Sequence, residues 1–233
     1  MMRSGIPIGR IAGIPVSIHF LLVILWLFQL DQALDSPVNR TGHLLAWLAH
    51  AGGLFGSILL HEFGHAFAAR RCGGYTDRII LWPLGGLAYC HAPPGWKPQL
   101  QVAAGGPLVT LVLAVGAFLG AQVWGRVHDP SWGLWAGTLE TLLLGLVFWN
   151  KVLLVFNLLP LYPLDGGRIF LNGVWGWLET RRSPSARAGA VAATVWVTRG
   201  TAVLGLVASI YLKEIFLVVI FAWAWLGVQN LRR

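Results

Sequence analysis

The stretch LLHEFGHAFA, residues 59–68, places three ionisable side chains inside an otherwise apolar run. His61 and His65 are four residues apart, so on a helix they lie on one face, one turn from each other. That geometry suits two ligands of one zinc ion, and Glu62 would lie beside the metal, where it can take a proton from a bound water. Zinc lowers the pKa of such a water to about 7. The stretch therefore predicts a helix that carries a hydrolytic metal site.

The composition around this stretch is that of a polytopic membrane protein. Of the 233 residues, 56% are hydrophobic and 11% are charged, whereas soluble domains carry about 25% charged residues. An ionisable group at mid-membrane costs about 2.5–3.5 kcal/mol on insertion scales, so three of them within five residues indicate a function. The net charge of +8 comes without any basic run, which argues against a nucleic-acid partner. Cys72 and Cys90 form no zinc-binding pattern and are predicted to be unpaired thiols.

Six apolar segments are candidates for membrane helices. They span residues 17–30, 44–69, 102–124, 134–159, 188–212 and 215–231. Between the second and third, residues 75–91 contain two short apolar stretches around Pro83 and the pair Gly85 and Gly86. This pattern predicts a small membrane-associated β-hairpin or loop. We therefore expect one all-α polytopic membrane domain over residues 1–233, with this hairpin or loop attached.

Lysine and arginine residues are distributed unequally between the two sides of six alternating helices. One side receives only Arg40, Arg126 and Lys213, and the other receives twelve residues: Arg3, Arg10, Arg70, Arg71, Arg78, Lys97, Arg168, Arg181, Arg182, Arg187, Arg232 and Arg233. The basic side is predicted to be cytoplasmic, and both termini with it. At 1.5 Å per residue, the HEFGH motif would lie roughly 8–14 Å from that face, within reach of cytosolic water. Lys151 and Arg199 fall within helices and are expected to snorkel or face the bundle interior.

A catalytic zinc site needs a third protein ligand and an open position. The acidic candidates inside or bordering the membrane are Glu140, Asp165 and Glu179. Asp165 is favoured because Pro160 and Pro163 break the preceding helix, while the glycines after it free the backbone. Such a break can point a carboxylate into the bundle. Taken alone, PLDGG is typical of a surface turn, and it is the HEFGH motif that favours the ligand interpretation.

Together, HEFGH and the NLLPLYPLDGG stretch a hundred residues later resemble the site-2 protease family of intramembrane zinc metalloproteases. GIPIGRIAGIPVSIHF, AAGGPLVTL and PLGGLAY resemble its compact prokaryotic branch, and the PDZ or CBS domains that some relatives carry are not expected in these 233 residues. The resemblance extends over essentially the whole chain. It implies that His61, His65 and Asp165 bind one zinc ion and that Glu62 is the general base, which later returns the proton to the leaving amine.

The resemblance also implies how a substrate is held. Asn157 would contact the substrate or the developing oxyanion, a role that suits a preorganised amide donor; an interhelical hydrogen bond is the alternative. Gly85 and Gly86 would belong to a strand-like element that grips an unwound substrate by strand addition. His19 matches a family position on the first helix, where a structural or gate-related role is expected.

The implied activity is cleavage of a peptide bond in or near the transmembrane segment of a membrane-anchored protein, in a prokaryotic cytoplasmic membrane. Implied substrates are single-pass proteins such as anti-sigma factors, transcription-factor precursors and signal-peptide remnants. Two alternatives remain open. A metal carrier or inactive scaffold would repeat polar groups along a path through the helices. A zinc protease of the prenyl-protein-processing type would use a glutamate, Glu140 or Glu179, as its third ligand.

Overall fold

The computed structural model describes residues 5–34, 40–82, 85–129 and 133–232. Arg3, Pro83 and Arg233, on which the sequence analysis drew, lie outside these ranges. In chain order the elements are β1 Gly5–Ile11, β2 Ile14–His19, α1 Phe20–Leu34, α2 Arg40–Arg71, β3 Tyr75–Trp82, β4 Gly85–His91, α3 Trp96–Val127, α4 Leu134–Leu158, α5 Asp165–Thr180, α6 Ala186–Tyr211 and α7 Ile215–Gly227. A short 3-10 helix, Val228–Arg232, follows α7. The described chain is therefore mostly helical, with one small sheet.

Four of these helices are long and apolar enough to cross a membrane, namely α2, α3, α4 from Ala136 onward, and α6. The apolar parts of α1 and α7 are shorter, at Phe20–Asp31 and Leu217–Gly227. Large apolar side chains such as Leu108, Val155 and Leu204 are exposed on the helix surfaces. In a chain of this composition such side chains face lipid rather than water, so the outer surface fits a bilayer.

The sheet has the order β1-β2-β3-β4, in which β1 and β2 form one antiparallel hairpin and β3 and β4 form another. The two hairpins join through a parallel pairing in which Val16 lies opposite Ile79. Residues 17–19 therefore end a strand, so the predicted helix start at residue 17 is wrong and α1 begins at Phe20. The alternation of Ile14, Val16 and Ile18 is the strand signal that the following apolar run obscures.

The inner face of the sheet packs on α2 directly beside the HEFGH motif. Val16, Ile79 and Leu81 are fully buried and form one cluster with Phe63 and Ala66 of α2. On its other side α2 meets α3, where a Cβ added at Gly64 would collide with the backbone oxygen of Gly105. Paired small residues let membrane helices approach this closely. The motif is thus held between a sheet and a tightly packed helix.

The break after α4 is fixed by two glycines at the start of α5 and by a buried leucine between the two helices. A Cβ on Gly166 would collide with the backbone of Leu158 and Leu159, and one on Gly167 with that of Leu161 and Tyr162. Only glycines therefore let the first turn of α5 fold back against the end of α4. The fully buried Leu161 packs with Ala202 of α6 and Ala224 of α7. Thr198 of α6 accepts a hydrogen bond from the N–H of Tyr162 at 3.0 Å.

Candidate metal centre

Three buried side chains from two helices converge on one point. On α2, His61 and His65 lie with their Nε2 atoms 3.1 Å apart. The Oδ2 atom of Asp165, the first residue of α5, lies 3.0 Å from Nε2 of His61 and 3.3 Å from Nε2 of His65. All three residues are at most 8% exposed. Among the His, Cys, Asp and Glu side chains of the described residues, these three form the group whose ligand atoms lie close enough together to hold a metal ion.

The ring of His65 is oriented by a backbone carbonyl of α3. Its Nδ1 lies 2.7 Å from the Val102 oxygen, which can only accept a hydrogen bond, so Nδ1 carries the proton. The Gly106 N–H lies 3.4 Å from the same nitrogen and is the weaker contact. In the neutral ring, Nε2 then bears a lone pair directed at Asp165. The hydrogen bond from Nδ1 to Val102 is the kind that metal-ligating histidines make through the ring nitrogen that does not bind the metal.

Thr110 orients His61 in the same way. The Thr110 hydroxyl donates to the Gly106 carbonyl at 3.3 Å, which leaves its oxygen to accept from Nδ1 of His61 at 2.7 Å. Nδ1 of His61 is therefore the protonated nitrogen, and Nε2 is the one with the lone pair. Two imidazole lone pairs and one carboxylate oxygen thus point at a common centre. A cation stabilises such an arrangement of electron-pair donors.

The donor set fits zinc. Tetrahedral zinc with nitrogen and oxygen ligands at about 2.0–2.1 Å has donor atoms about 3.3–3.4 Å apart. The three observed separations, 3.0, 3.1 and 3.3 Å, are close to that spacing. Two histidines and one carboxylate also leave the fourth position open, as in catalytic rather than structural zinc sites.

Gly106 of α3 closes one side of this centre. A Cβ built on Gly106 would overlap Nε2 of both His61 and His65. The absence of a side chain here lets α3 approach the two rings closely enough for Val102 and Thr110 to reach their Nδ1 atoms. Gly106, Val102 and Thr110 were not predicted as site residues, although the Gly105–Gly106 pair within AAGGPLVTL signals a close approach.

Glu62 is held against β4 rather than left free in the cavity. Its Oε2 accepts a hydrogen bond from the backbone N–H of Ala88 at 2.8 Å. A Cβ on Gly86 would collide with the Glu62 carboxylate, so the strand passes directly over the acid. Glu62 is 5% exposed. One carboxylate oxygen is thus fixed by the strand.

A cavity of about 300 Å³ opens from the metal centre. Its wall includes Gly85 and Gly86 of β4 and Asn157 of α4, so the cavity brings together all seven predicted site residues. The rest of the wall is largely apolar and includes Leu54, Phe156 and Trp223. Such a cavity suits an apolar chain more than a hydrophilic solute.

Other residues singled out in the sequence lie elsewhere. Glu140 and Glu179, the alternative third ligands, are exposed and outside the metal-binding group. His19 ends β2, and its Nδ1 accepts the N–H of Leu21 at 3.3 Å, so it caps α1. Lys151 is exposed on α4, and the Arg199 guanidinium lies 5.3 Å from the centre of the Trp225 ring.

Comparison with known proteins agrees with this architecture. A solved structure of the site-2 protease from Methanocaldococcus jannaschii superposes with a TM-score of 0.59 at 24% identity, covering 98% of this chain and 95% of that one. At that identity the likeness shows the fold. The described helices and sheet therefore follow an arrangement already known from a membrane protease.

Sequence relatives extend the comparison. The "putative zinc metalloprotease Rip3" of Mycobacterium tuberculosis is 37% identical, over 92% of this chain and 56% of its own length. Zinc metalloprotease MJ0392 of Methanocaldococcus jannaschii is 30% identical over 78% of this chain and 50% of its own length. The chain thus spans about half the length of these relatives. The sequence also matches peptidase family M50 over residues 49–130 and 133–200. Since that match includes well over half of the chain, the protein belongs to peptidase family M50.

Proposed function

We propose that the chain is an intramembrane zinc metalloendopeptidase that hydrolyses a peptide bond within or near the transmembrane segment of a membrane-anchored protein. The observation that carries this proposal is the convergence of His61, His65 and Asp165 next to the buried Glu62, at the end of an apolar cavity. Membership of peptidase family M50 supports the same conclusion. The polar groups are concentrated at one depth, which favours an enzyme over a carrier.

His61, His65 and Asp165 would hold one zinc ion, with their orientation set by Thr110 and Val102. When bound, zinc supplies a water of lowered pKa and polarises the carbonyl of the peptide bond. The same two hydrogen bonds keep the imidazole rings in the tautomer that binds metal. The protein therefore contributes a preformed ligand set rather than one assembled on substrate binding.

Glu62 would carry the proton. The Ala88 N–H holds Oε2 and so fixes the plane of the carboxylate, which leaves Oε1 free to accept a proton from water and return it to the leaving amine. Because Gly86 has no side chain, β4 can pass close enough to Glu62 for this hydrogen bond to form. A general base gains from such restraint, because proton transfer depends on holding the two atoms within hydrogen-bond distance.

The free edge of β4 would bind the substrate backbone. In the ladder Ala88 lies opposite Ile79, yet its N–H donates to Glu62, so it points away from β3. Strand residues alternate, and Gly86 and Cys90 therefore present their backbone groups to the same open edge. A locally unwound substrate pairing there would replace its lost helical hydrogen bonds. Gly85, Gly86 and the Asn157 amide would then contact the segment being cut.

The proposed substrate class rests on the largely apolar wall of the cavity. Single-pass helices such as those of anti-sigma factors, transcription-factor precursors or signal-peptide remnants match an apolar cavity among membrane helices, and the resemblance of the sequence motifs implies such substrates. Only a segment that leaves its helix can align with a strand edge. Substrates with weak helix formers near one end of the span should therefore be preferred.

We further propose six membrane spans in one domain over residues 1–233, with both termini on the cytoplasmic side of a prokaryotic cell membrane. The distribution of basic residues supports this orientation, and α1 and α7 would be short spans at the edge of the bundle. Native Cys72, at the end of α2, provides the test in a Cys90→Ala background. A membrane-impermeant maleimide should label it in inverted vesicles and not in right-side-out ones. A cysteine at Lys213 (K213C) should instead be labelled in right-side-out vesicles and not in inverted ones. Labelling of both cysteines in the same vesicle orientation would refute the topology.

Metal removal tests the activity. The purified chain in proteoliposomes with a single-pass reporter should lose essentially all cleavage after dialysis against 1,10-phenanthroline and regain it with zinc but not with magnesium.

Asp165→Asn should lower the zinc content at equal protein concentration, measured by atomic emission. Asp31→Asn, at an exposed aspartate of α1, is the matched control and should keep full metal. Cleavage by metal-free protein would contradict the proposal.

A further inference from the structure

We propose that Arg168 binds an acidic side chain of the substrate, close to the scissile bond, and so selects for Asp or Glu at that position. The inference rests on the proposed function, because it names a subsite of the same cleft. Arg168 lies one turn after Asp165 on α5, and its side chain lines the cavity. It is the one lysine or arginine among the described residues of the cavity wall.

The Arg168 guanidinium has no hydrogen-bond, ion-pair or ring partner among the described residues, whereas several other arginines do. Arg78, Arg181 and Arg187 lie over the aromatic rings of Tyr89, Trp177 and Trp175, and Arg70 donates to the carbonyl of Ala12. The described ion pairs involve histidines with Asp165 or Asp77, and none involves Arg168. Arg168 is exposed, and a cation that lines a largely apolar cleft and is used by no described group of the fold is available to a ligand.

The position of Arg168 along β4 sets the distance from the scissile bond. Burial raises the pKa of the Cys90 thiol, and the charges of Glu62 and Arg168 act on that thiol in opposite directions. Cys90, Glu62 and Arg168 also line the same cavity, so the geometry agrees with a position of Arg168 near the Cys90 end of β4. Glu62 contacts Gly86 and Ala88, and strand residues advance about 3.3 Å each. A peptide paired with β4 would meet Arg168 two to four residues from the bond being cut, on the His91 side.

This spacing identifies the source of the carboxylate. The terminal carboxylate formed by hydrolysis arises at the metal centre, whereas a peptide paired with β4 would meet Arg168 further along the strand, so a substrate side chain is the better partner. Guanidinium and carboxylate form paired hydrogen bonds whose strength increases in a partly dehydrated cleft. Neither carboxylate of the site forms an ion pair with Arg168 among the described residues: Asp165 pairs with the two histidines, and Oε2 of Glu62 accepts from Ala88. A substrate lysine at the same position would be repelled.

Binding to a non-cleaving background tests the subsite. The probes are fluorescent apolar decapeptides, amidated at the C-terminus, with a single Asp, Asn or Lys moved through each position. On the zinc-loaded Glu62→Gln chain, measured by anisotropy in detergent, Asp in one register should bind at least about fivefold tighter than Asn. Adding Arg168→Gln should abolish that ratio, and adding Arg168→Glu should favour Lys instead. The preference should weaken as salt is raised.

Arg181→Gln is the matched control, since it removes an arginine from the other end of α5 and should leave the Asp preference unchanged. An unaltered Asp-to-Asn ratio after both Arg168 substitutions would overturn the subsite. Cleavage of the same peptides by the wild-type chain reports separately on activity. An Arg168-dependent preference in binding, without any cleavage by the zinc-loaded wild type, would support the subsite and refute the proposed function.

Discussion

Glu62→Gln is expected to reduce hydrolysis of a single-pass reporter by about 10³-fold or more while leaving zinc bound, because removing a general base typically costs 10²–10⁴-fold. Glutamine has the shape of glutamate, and its amide oxygen can still accept the Ala88 N–H that holds Oε2. It cannot take a proton from water at neutral pH. The change therefore separates proton transfer from metal binding and from the packing of β4.

Turnover in proteoliposomes and zinc content by atomic emission, measured on the same preparation, check this expectation. Glu179→Gln provides the matched control, because Glu179 is exposed at the far end of α5 and should be silent in both measurements. Cleavage by Glu62→Gln within about tenfold of wild type would show that another group carries the proton. Loss of zinc together with activity would instead assign Glu62 to the ligand set.

The metal ligands are predictable from the sequence because their geometry is mostly local. The i, i+4 spacing of His61 and His65 fixes one helix face whatever the rest of the chain does. Asp165 required a further step, since its position follows from a helix break whose direction depends on tertiary packing. The structure supplies the reason for that direction: Gly166 and Gly167 fold α5 against α4, and α6 holds Tyr162 through Thr198.

Other elements were missed because they depend on non-local pairing. The strand β2 exists through its pairing with β3, sixty residues later, and Val16 and Ile79 lie opposite each other in that ladder. An apolar segment that continues into a membrane helix gives no local signal of where the strand ends. The helix α5 was likewise not predicted, since PLDGG alone is typical of a turn. The groups that orient the histidines escape prediction because they depend on which face α3 turns to α2.

Gly106→Ala is expected to lower zinc affinity by about 100-fold or more, since loss of a single orienting contact already costs 10–100-fold. The added methyl would overlap Nε2 of both His61 and His65, so either the rings rotate away from Asp165 or α3 retreats. A retreat would also break the hydrogen bonds that the two histidines donate to Thr110 and Val102. The helix itself should tolerate alanine, which is favoured over glycine by about 1 kcal/mol in a helix interior. Competition with a fluorescent zinc chelator measures the affinity.

Gly116→Ala makes the control for this substitution sharp. Gly116 lies on the same helix with nothing within 4 Å of an added Cβ, so it shares the change in helix propensity without the collision. Both variants should elute as single species in detergent and keep their helical circular dichroism, but only Gly106→Ala should lose metal. Equal zinc affinity in the two variants would mean that α3 can move aside without disturbing the ligands. The close approach of Gly106 would then be a feature of helix packing alone, and the preformed metal centre would depend on α2 and α5.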